Sequence, residues 1–406
     1  MSFKVYIASK ESDIDPRNNY YQHKIVYYGT KNETTDVFCS DFRCDIHYKP
    51  HFLNFVIEKM REIIKRQSDC LFFFYAPKLS CIVVENAPEL KKYIPCFNKY
   101  STLTFIDNKL LSREWLKSLI PITSFELHTW ADCCSFSRTL SELTDDGIVL
   151  QYANSCGGEG SFIYPNSSLI SLCNETFSND DLFIISPYLE KSITACCHII
   201  IYENDILVFP PNICNSYKST ETCMYRPIYC GSDYISAMNL PNLIKSRIIE
   251  LSNTIGSKLS NIGYRGVCGI DFLVDDKNVF MLEINPRYQG SSFLVDAALI
   301  DNQLPPLAFF QEQAFTCKTP LREHKNIISQ MIIPYKSIVY TYNECTIEHE
   351  LETAFHNQMF NQRLCADGFD INVPVSKYER NTYLFRIIEK DIKYINQTQS
   401  GFSNDL

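Results

Sequence analysis

Residues 266–292 read GVCGIDFLVDDKNVFMLEINPRYQGSS, two strand-like runs joined by a short polar turn. The first run is Val267 to Val274 and the second is Val279 to Ile284, where apolar residues recur with the period of two expected of a strand. Phe280, Leu282 and Ile284 fall on one face, and Met281, Glu283 and Asn285 on the other. The connecting Asp275-Asp276-Lys277-Asn278 suits a hairpin, because Asn278 tolerates positive φ. The parity of that loop decides which side chains meet. An odd loop, such as three residues closed by Asn278, sets Asp271 opposite Glu283; an even loop sends Asp271 to the wrong face. In the odd register two carboxylates and the Asn285 amide converge. Like charges that close are costly unless a cation sits between them, and oxygen ligands favour magnesium or manganese. Arg287 follows at once as a fixed cation suited to phosphate. An ordinary surface hairpin explains any one of these residues. It does not explain Glu283 and Asn285 together inside an apolar strand, since buried charges are rarely left without partners.

GxDF, here Gly269-Ile270-Asp271-Phe272, followed by LEINPR (Leu282 to Arg287) and a Gly290-Ser291-Ser292 segment resembles the metal-binding core of the ATP-grasp ligases. The resemblance implies that Asp271, Glu283 and Asn285 hold magnesium (or manganese) ions bridging the phosphates of ATP. It also implies that Arg287 attends the transferred phosphoryl group. The fold it implies is α/β (α+β): an ATP-grasp domain over 99–322 with a lid at about 120–186, an N-terminal open α/β domain over 1–98, and a small C-terminal α/β module over 323–406.

Composition bounds the rest. A chain of 406 residues supports two or three domains, and 45% hydrophobic with 21% charged residues is ordinary for a soluble globular protein. The net charge of −9 argues against a general nucleic-acid binder. The start has no signal-peptide architecture, and the longest apolar run, Cys70 to Pro77, is too short to span a bilayer; a cytoplasmic protein with no membrane partner is expected. The eighteen cysteines lie scattered in apolar runs without any CxxC pair, as reduced thiols used as small hydrophobes would. Cys44, His47 and His51 form a trio with no second cysteine pair to close a zinc site, so chance grouping is the better account.

In the N-terminal domain, Lys4 to Ala8 and Lys24 to Tyr28 read as strands, and Phe52 to Lys65 carries the apolar spacing of a helix. Cys70 to Tyr75 and Cys81 to Val84 read as buried parallel strands. Residues 97–123 switch into helix, starting near Asp107 or Asn108 and closed by Pro121. The resemblance makes Lys109 of this DNK segment the lysine that reaches the nucleotide phosphates. Gly147 to Tyr152, Asn154 to Ser161 and Phe162 to Tyr164 read as strand, glycine-rich loop, strand. Glycines let backbone amides turn toward an anion. By resemblance this is the phosphate lid, with Ser155, Gly157, Gly158 and Gly160 at the nucleotide. Gln151 stands where the family most often has a Lys, so it supplies a hydrogen bond and no charge. Asp181 to Ile185 and Cys197 to Ile201 read as strands around a hinge, and the resemblance places Ser186, Tyr188 and Leu189 on adenine. Glu190 is available for the ribose, while Ile193 occupies the position where that carboxylate is expected.

Asn239-Leu240-Pro241 starts a helix striped by Ile244, Ile248, Leu251, Ile255 and Leu259 and stopped near Gly263. A further helix begins after Ser292, and its first amides near Ser291 and Ser292 suit a substrate carboxylate or acyl phosphate. Beyond residue 323, Ile327 to Tyr342 reads as strand-rich, Ile347 to Leu364 as helix and Tyr383 to Ile388 as strand, with no visible chemistry. The QxxxSxGGxG and LEINPR combination resembles ligases of antibiotic-type biosynthesis. It implies ATP-dependent activation of a carboxylate, an amino acid by preference, as an acyl phosphate. Transfer then goes to an amine or to the thiol of an acyl carrier protein. A nucleotide-binding regulatory or scaffold protein without turnover is the alternative, with Gln151 as its first sign.

Overall fold

The computed structural model describes residues 2–29, 31–39, 49–133, 146–153, 160–165, 177–221, 224–341, 362–365 and 383–391. Ser155, Gly157, Gly158, Cys44, His47 and most of the 347–364 segment lie outside the described residues.

Four N-terminal strands, β1 (Phe3–Lys10), β2 (His23–Tyr28), β3 (Thr35–Cys39) and β4 (Cys70–Phe74), form a parallel sheet in the order β3-β2-β1-β4. The helix Lys49–Arg66 packs Phe52, Val56, Met60 and Ile63 against it. Cys81 to Val84 is not a fifth strand but the middle of a helix, Pro77–Asn86. Pro77 at the first helical position presets φ, and Ser80, Cys81 and Val83 turn inward while Ile82 and Val84 stay partly exposed. Four apolar residues do not separate a strand from a helix, and the N-terminal proline decides it.

The remaining strands make one large sheet. Its path runs through β14 (Val279–Asn285), β13 (Gly266–Val274), β9 (Ile193–Ile201), β11 (Asn212–Glu221) and β12 (Met224–Asp233). It continues into β7 (Ser161–Pro165), β6 (Gly147–Gln151), β8 (Leu182–Pro187) and β5 (Glu126–Thr129), while β10 (Ile206–Val208) pairs with β9. Alternate residues of β9 and β13 point to opposite faces. Ala195, Cys197, Ile199 and Ile201, with Cys268, Ile270 and Phe272, meet the helix Asn242–Asn261 through Ile244, Ile248, Leu251, Ile255 and Leu259. On the other face Ile200 and Val267 are covered by the helices Ser292–Asp301 and Leu307–Thr316, while Thr194, Cys196 and Asp271 open into a cavity. Apolar burial on both faces explains why these strands read as nearly continuous hydrophobic runs.

The segment around residue 108 forms two helices. Tyr100–Asp107 ends at Asn108, whose side chain accepts a hydrogen bond from the Leu111 N–H at 2.9 Å and so caps Lys109–Leu116. Pro241 sits just before its helix rather than inside the first turn.

The C-terminal residues do not stand apart. The helix Arg322–Gln330 takes in Ile327 to Gln330, where strand was expected: the less exposed positions are His324, Lys325 and Ile328, three to four residues apart as on one helix face. Strand β15 (Tyr335–Thr341) joins β12 through Asp233 and Lys336, and β17 (Tyr383–Lys390) pairs with β15. Gln362–Cys365 is a further strand, β16, on β17, where the helical reading of 347–364 had placed its last turn; cross-strand pairing overrides the local pattern. Asp301 fastens this unit to the body, accepting from Lys390 Nζ at 2.6 Å, Tyr335 OH at 2.5 Å and Arg17 Nη1 at 2.6 Å. Among the described residues no helix is long and apolar enough to cross a membrane.

Gly231 is where the C-terminal strands meet β12. Its φ is 132°, and a Cβ there would fall 2.0 Å from the Ser337 carbonyl oxygen. We expect Gly231→Ala to cost at least ~2 kcal/mol, from backbone strain and a clash against main chain that cannot rotate away. The urea-unfolding midpoint measures this, and a midpoint equal to wild type contradicts it.

Candidate functional site

The hairpin loop is even, not odd: Val274 pairs with Val279, leaving Asp275 to Asn278 between them. Continued strictly, that register would set Asp271 against Leu282. Instead Phe272 pairs with Met281 and Asp271 with Glu283, so Leu282 is an extra residue bulged out of β14. The bulge restores the juxtaposition that the loop by itself denies. It also breaks the alternation across it, so Met281 packs in the core with Ile284 instead of sharing the face of Glu283 and Asn285.

The bulge is held from outside the hairpin. The Leu282 carbonyl accepts from Arg113 Nε at 3.0 Å, and the Met281 N–H donates to the Pro121 carbonyl at 3.0 Å. Arg113 is buried, and its Nη2 donates at 2.8 Å to Gln151 Oε1, while Gln151 Nε2 donates to Ser161 Oγ at 3.1 Å. Burial lowers the Arg113 pKa to about 10, opposed by the nearby Glu283, so the guanidinium stays charged at neutral pH. Sequence reading passed over this residue. Its signal was its place one helical turn beyond Lys109, on the same face.

Around the bulge the groups converge. Lys109 Nζ lies 2.9 Å from Glu283 Oε2. Asn285 Nδ2 donates to Asp271 Oδ2 at 2.9 Å and to Glu283 Oε1 at 3.3 Å, marking the point where the two carboxylates meet. Arg287 Nη2 donates to Asn285 Oδ1 at 3.0 Å. Gln289, also missed in the sequence, donates to Asp271 Oδ1 at 3.3 Å and accepts from the Cys196 thiol at 2.9 Å. It reaches across β13 only because residue 269 is glycine; a Cβ there would lie 1.8 Å from Gln289 Oε1.

Of these groups Cys196, Asp271, Glu283, Asn285, Arg287 and Gln289 line a cavity of about 480 Å³, within the usual range for small-molecule sites. Lys10 and Asp13 from the N-terminal sheet unit, Tyr229 from β12 and Arg386 from β17 share its wall. Residues beyond 323 therefore contribute to the site, contrary to the reading of that segment as devoid of chemistry. Arg386 donates to the Gly290 carbonyl at 3.1 Å and to Ser12 Oγ at 3.0 Å.

Electrostatics separates the two carboxyls. Burial, then the adjacent Glu283 charge, pushes Asp271 up to about 7. Burial also pushes Glu283 up, but Lys109, the Asn285 amide and Arg287 outweigh it and hold Glu283 below the usual carboxylate range. Two carboxylates with an amide form the donor set of a hard divalent cation, and a cation between them removes the repulsion that keeps a proton on Asp271. The residues therefore fit magnesium.

The other expected contacts are placed as follows. Ser186 and Pro187 belong to β8 and not to the hinge, and the Ser186 hydroxyl is buried with no hydrogen-bond partner among the described residues. Tyr188 donates its N–H to the Gly147 carbonyl at 2.8 Å, and the Leu189 carbonyl accepts from Ser192 Oγ at 2.6 Å. Glu190 is exposed, as is Ile193. Gly160 adopts φ 143° at the end of the glycine loop. Ser291 lines the cavity, but Ser292 does not: its hydroxyl accepts from the Gln289 N–H at 2.8 Å and meets His198 Nε2 at 3.0 Å, and its own N–H donates to the Gln289 carbonyl. The tight turn from Gln289 into the helix thus consumes the Ser292 groups assigned to substrate.

Residues 106–291 match the family model of an ATP-grasp domain. That span holds Lys109 and the cavity residues from Thr194 to Ser291. Residues 106–291 are therefore an ATP-grasp domain, and the chain shares its fold with the following solved structures. N5-carboxyaminoimidazole synthetase from Staphylococcus aureus, complexed with ADP, aligns at TM-score 0.58 and 12% identity over 99% of this chain and 96% of its own. Biotin carboxylase from Campylobacter jejuni, complexed with β,γ-ATP, aligns at 0.63 and 13% over 96% and 88%. The biotin carboxylase domain of the Hydrogenobacter thermophilus 2-oxoglutarate carboxylase, complexed with MgADP, ADP and bicarbonate, aligns at 0.61 and 13% over 100% and 90%. No curated protein sequence matches this chain.

Raising the Asp271 pKa has a measurable sign. Without metal, the native chain keeps a proton on Asp271 between about pH 4 and pH 7 that the unfolded chain has released. This group's contribution to stability is therefore full below about pH 4 and is lost as pH rises through about 7. We expect Asp271→Asn to gain melting temperature relative to wild type on going from about pH 5 to about pH 8 in chelator. A difference independent of pH contradicts the shift.

Proposed function

We propose that the protein is an ATP-dependent ligase that activates a carboxylate as an acyl phosphate and passes the acyl group to an amine or to a carrier-protein thiol. The observation that carries this reading is the meeting of Asp271, Glu283, Asn285 and Arg287 at one wall of a substrate-sized cavity, with buried Lys109 paired to Glu283. Bound magnesium and ATP supply the phosphoryl group and much of the charge neutralisation. Asp271, Glu283 and Asn285 are the residues that would hold the metal. Lys109 and Arg287 are fixed cations on either side of them, placed to stabilise charge developing on the transferred phosphoryl group without covalent participation. Gln289 and Cys196 orient Asp271. Ser291, at the start of the helix Ser292–Asp301, faces the substrate side.

An amino acid is the acid we favour, because it carries both charges and the cavity offers Asp13 beside Lys10 and Arg386. The glycine-loop and LEINPR combination supports a setting in antibiotic-type biosynthesis. ATP consumption across a panel of amino acids, with hydroxylamine as trap, tests the reading: hydroxamate formation marks the acyl phosphate and identifies the acid. Nucleotide binding with no turnover across the panel favours the scaffold alternative.

Glu283→Gln keeps shape but removes a charge, so turnover should fall by orders of magnitude while the fold persists. Near-normal turnover would falsify the metal assignment.

Gln151 and Lys109 should differ in kind. Gln151→Ala removes a neutral contact and should weaken ATP binding by about 1 kcal/mol. Lys109→Ala removes a charge-assisted one and should cost roughly twice as much. Calorimetric ATP affinities of the two variants decide the ranking, and the reverse order displaces Lys109 from the phosphates.

A further inference from the structure

Pairing across four strands sets a row of side chains on the cavity floor. Glu283 of β14 faces Asp271 of β13, and Asp271 faces Cys196 of β9. In the next pair Cys214 of β11 lies opposite Thr194, two residues from Cys196 and therefore on the same face. The two thiol sulfurs and an Asp271 carboxylate oxygen lie within 4.8 Å of one another. Consecutive cysteines here have opposite environments: Cys197 packs in the core, whereas Cys196 lines the cavity with the partly exposed Cys214.

We propose that Cys196, Cys214 and Asp271 form a site for a soft divalent cation, zinc foremost, next to the hard-cation set of Asp271, Glu283 and Asn285. Two thiolates and one carboxylate make three ligands of a tetrahedral centre, and the cavity supplies a fourth position open to water or to a carboxylate. A hard cation draws on the oxygen side of the row and a soft one on the sulfur side. Asp271 belongs to both, so the two occupancies compete for it. That competition rests on the ligase reading; the zinc site itself does not.

Cobalt(II) is the probe, because thiolate coordination gives a charge-transfer band and a tetrahedral centre gives strong visible absorption. Titration of the reduced, metal-free full chain should develop both at one cobalt per chain, and zinc should abolish them. Outer-shell changes alone typically cost about 10–100-fold in metal affinity, so Cys214→Ser, which removes a ligand, should weaken binding by at least about tenfold. Cys196→Ser should do the same; if that buried substitution prevents folding, the partly exposed Cys214 carries the test. Absence of a thiolate band in the wild type overturns the site, as does a band unchanged by Cys214→Ser, which would place the metal on other cysteines. Where turnover is measurable, zinc should inhibit the wild type at a concentration at least about tenfold lower than Cys214→Ser, each relative to its own zinc-free rate. Cobalt binding without any turnover leaves the site standing and removes only the ligase reading.

Discussion

Two carboxylates face each other across neighbouring strands, and their repulsion organises the centre of this protein. Asp271 and Glu283 lie on one sheet face, largely out of water, where unpaired charge is expensive. Lys109 neutralises one of them, the Asn285 amide bridges both, and Gln289 holds the other. Burial, and then the Glu283 charge, keeps a proton on Asp271 into the neutral range.

The surrounding elements serve that arrangement. A bulge at Leu282 brings Glu283 into register, and Arg113 holds the bulged carbonyl. Arg113 also grips Gln151, so one buried cation joins the β13–β14 hairpin to the first strand of the glycine-loop unit. A neutral glutamine at that position is thereby set by a charged neighbour. The cost of burying Arg113 is offset by its hydrogen bonds and by Glu283 nearby.

The same sheet geometry extends the row beyond the carboxylates. Because strands pair residue by residue, Cys196 and Cys214 come to lie beside Asp271, and the floor of the cavity grades from oxygen to sulfur ligands. The upper wall comes from distant parts of the chain, Lys10 and Asp13 near the N-terminus and Arg386 near the C-terminus. Arg386 bonds to Ser12 and Gly290, so it ties both ends of the chain to the turn that precedes the helix Ser292–Asp301.

Much of this was legible in the residues themselves. The hairpin, the helix striped from Ile244 to Leu259 and the strands β1, β2 and β4 of the N-terminal sheet follow from local periodicity and turn chemistry. The grouping of Glu283, Asn285 and Arg287 follows from their spacing along one segment. What local pattern could not decide was register. The loop from Asp275 to Asn278 is even, and only an interior bulge, stabilised by Arg113 from another element, sets Asp271 opposite Glu283. Cys81 to Val84 became helix because a short apolar run carries no period of its own, and Gln362–Cys365 became strand through its pairing with β17. Gln289, Arg113 and the Cys196–Cys214 pair escaped notice for a related reason: their partners are 18 or more residues away, and contacts at that range exist only once the sheet has closed.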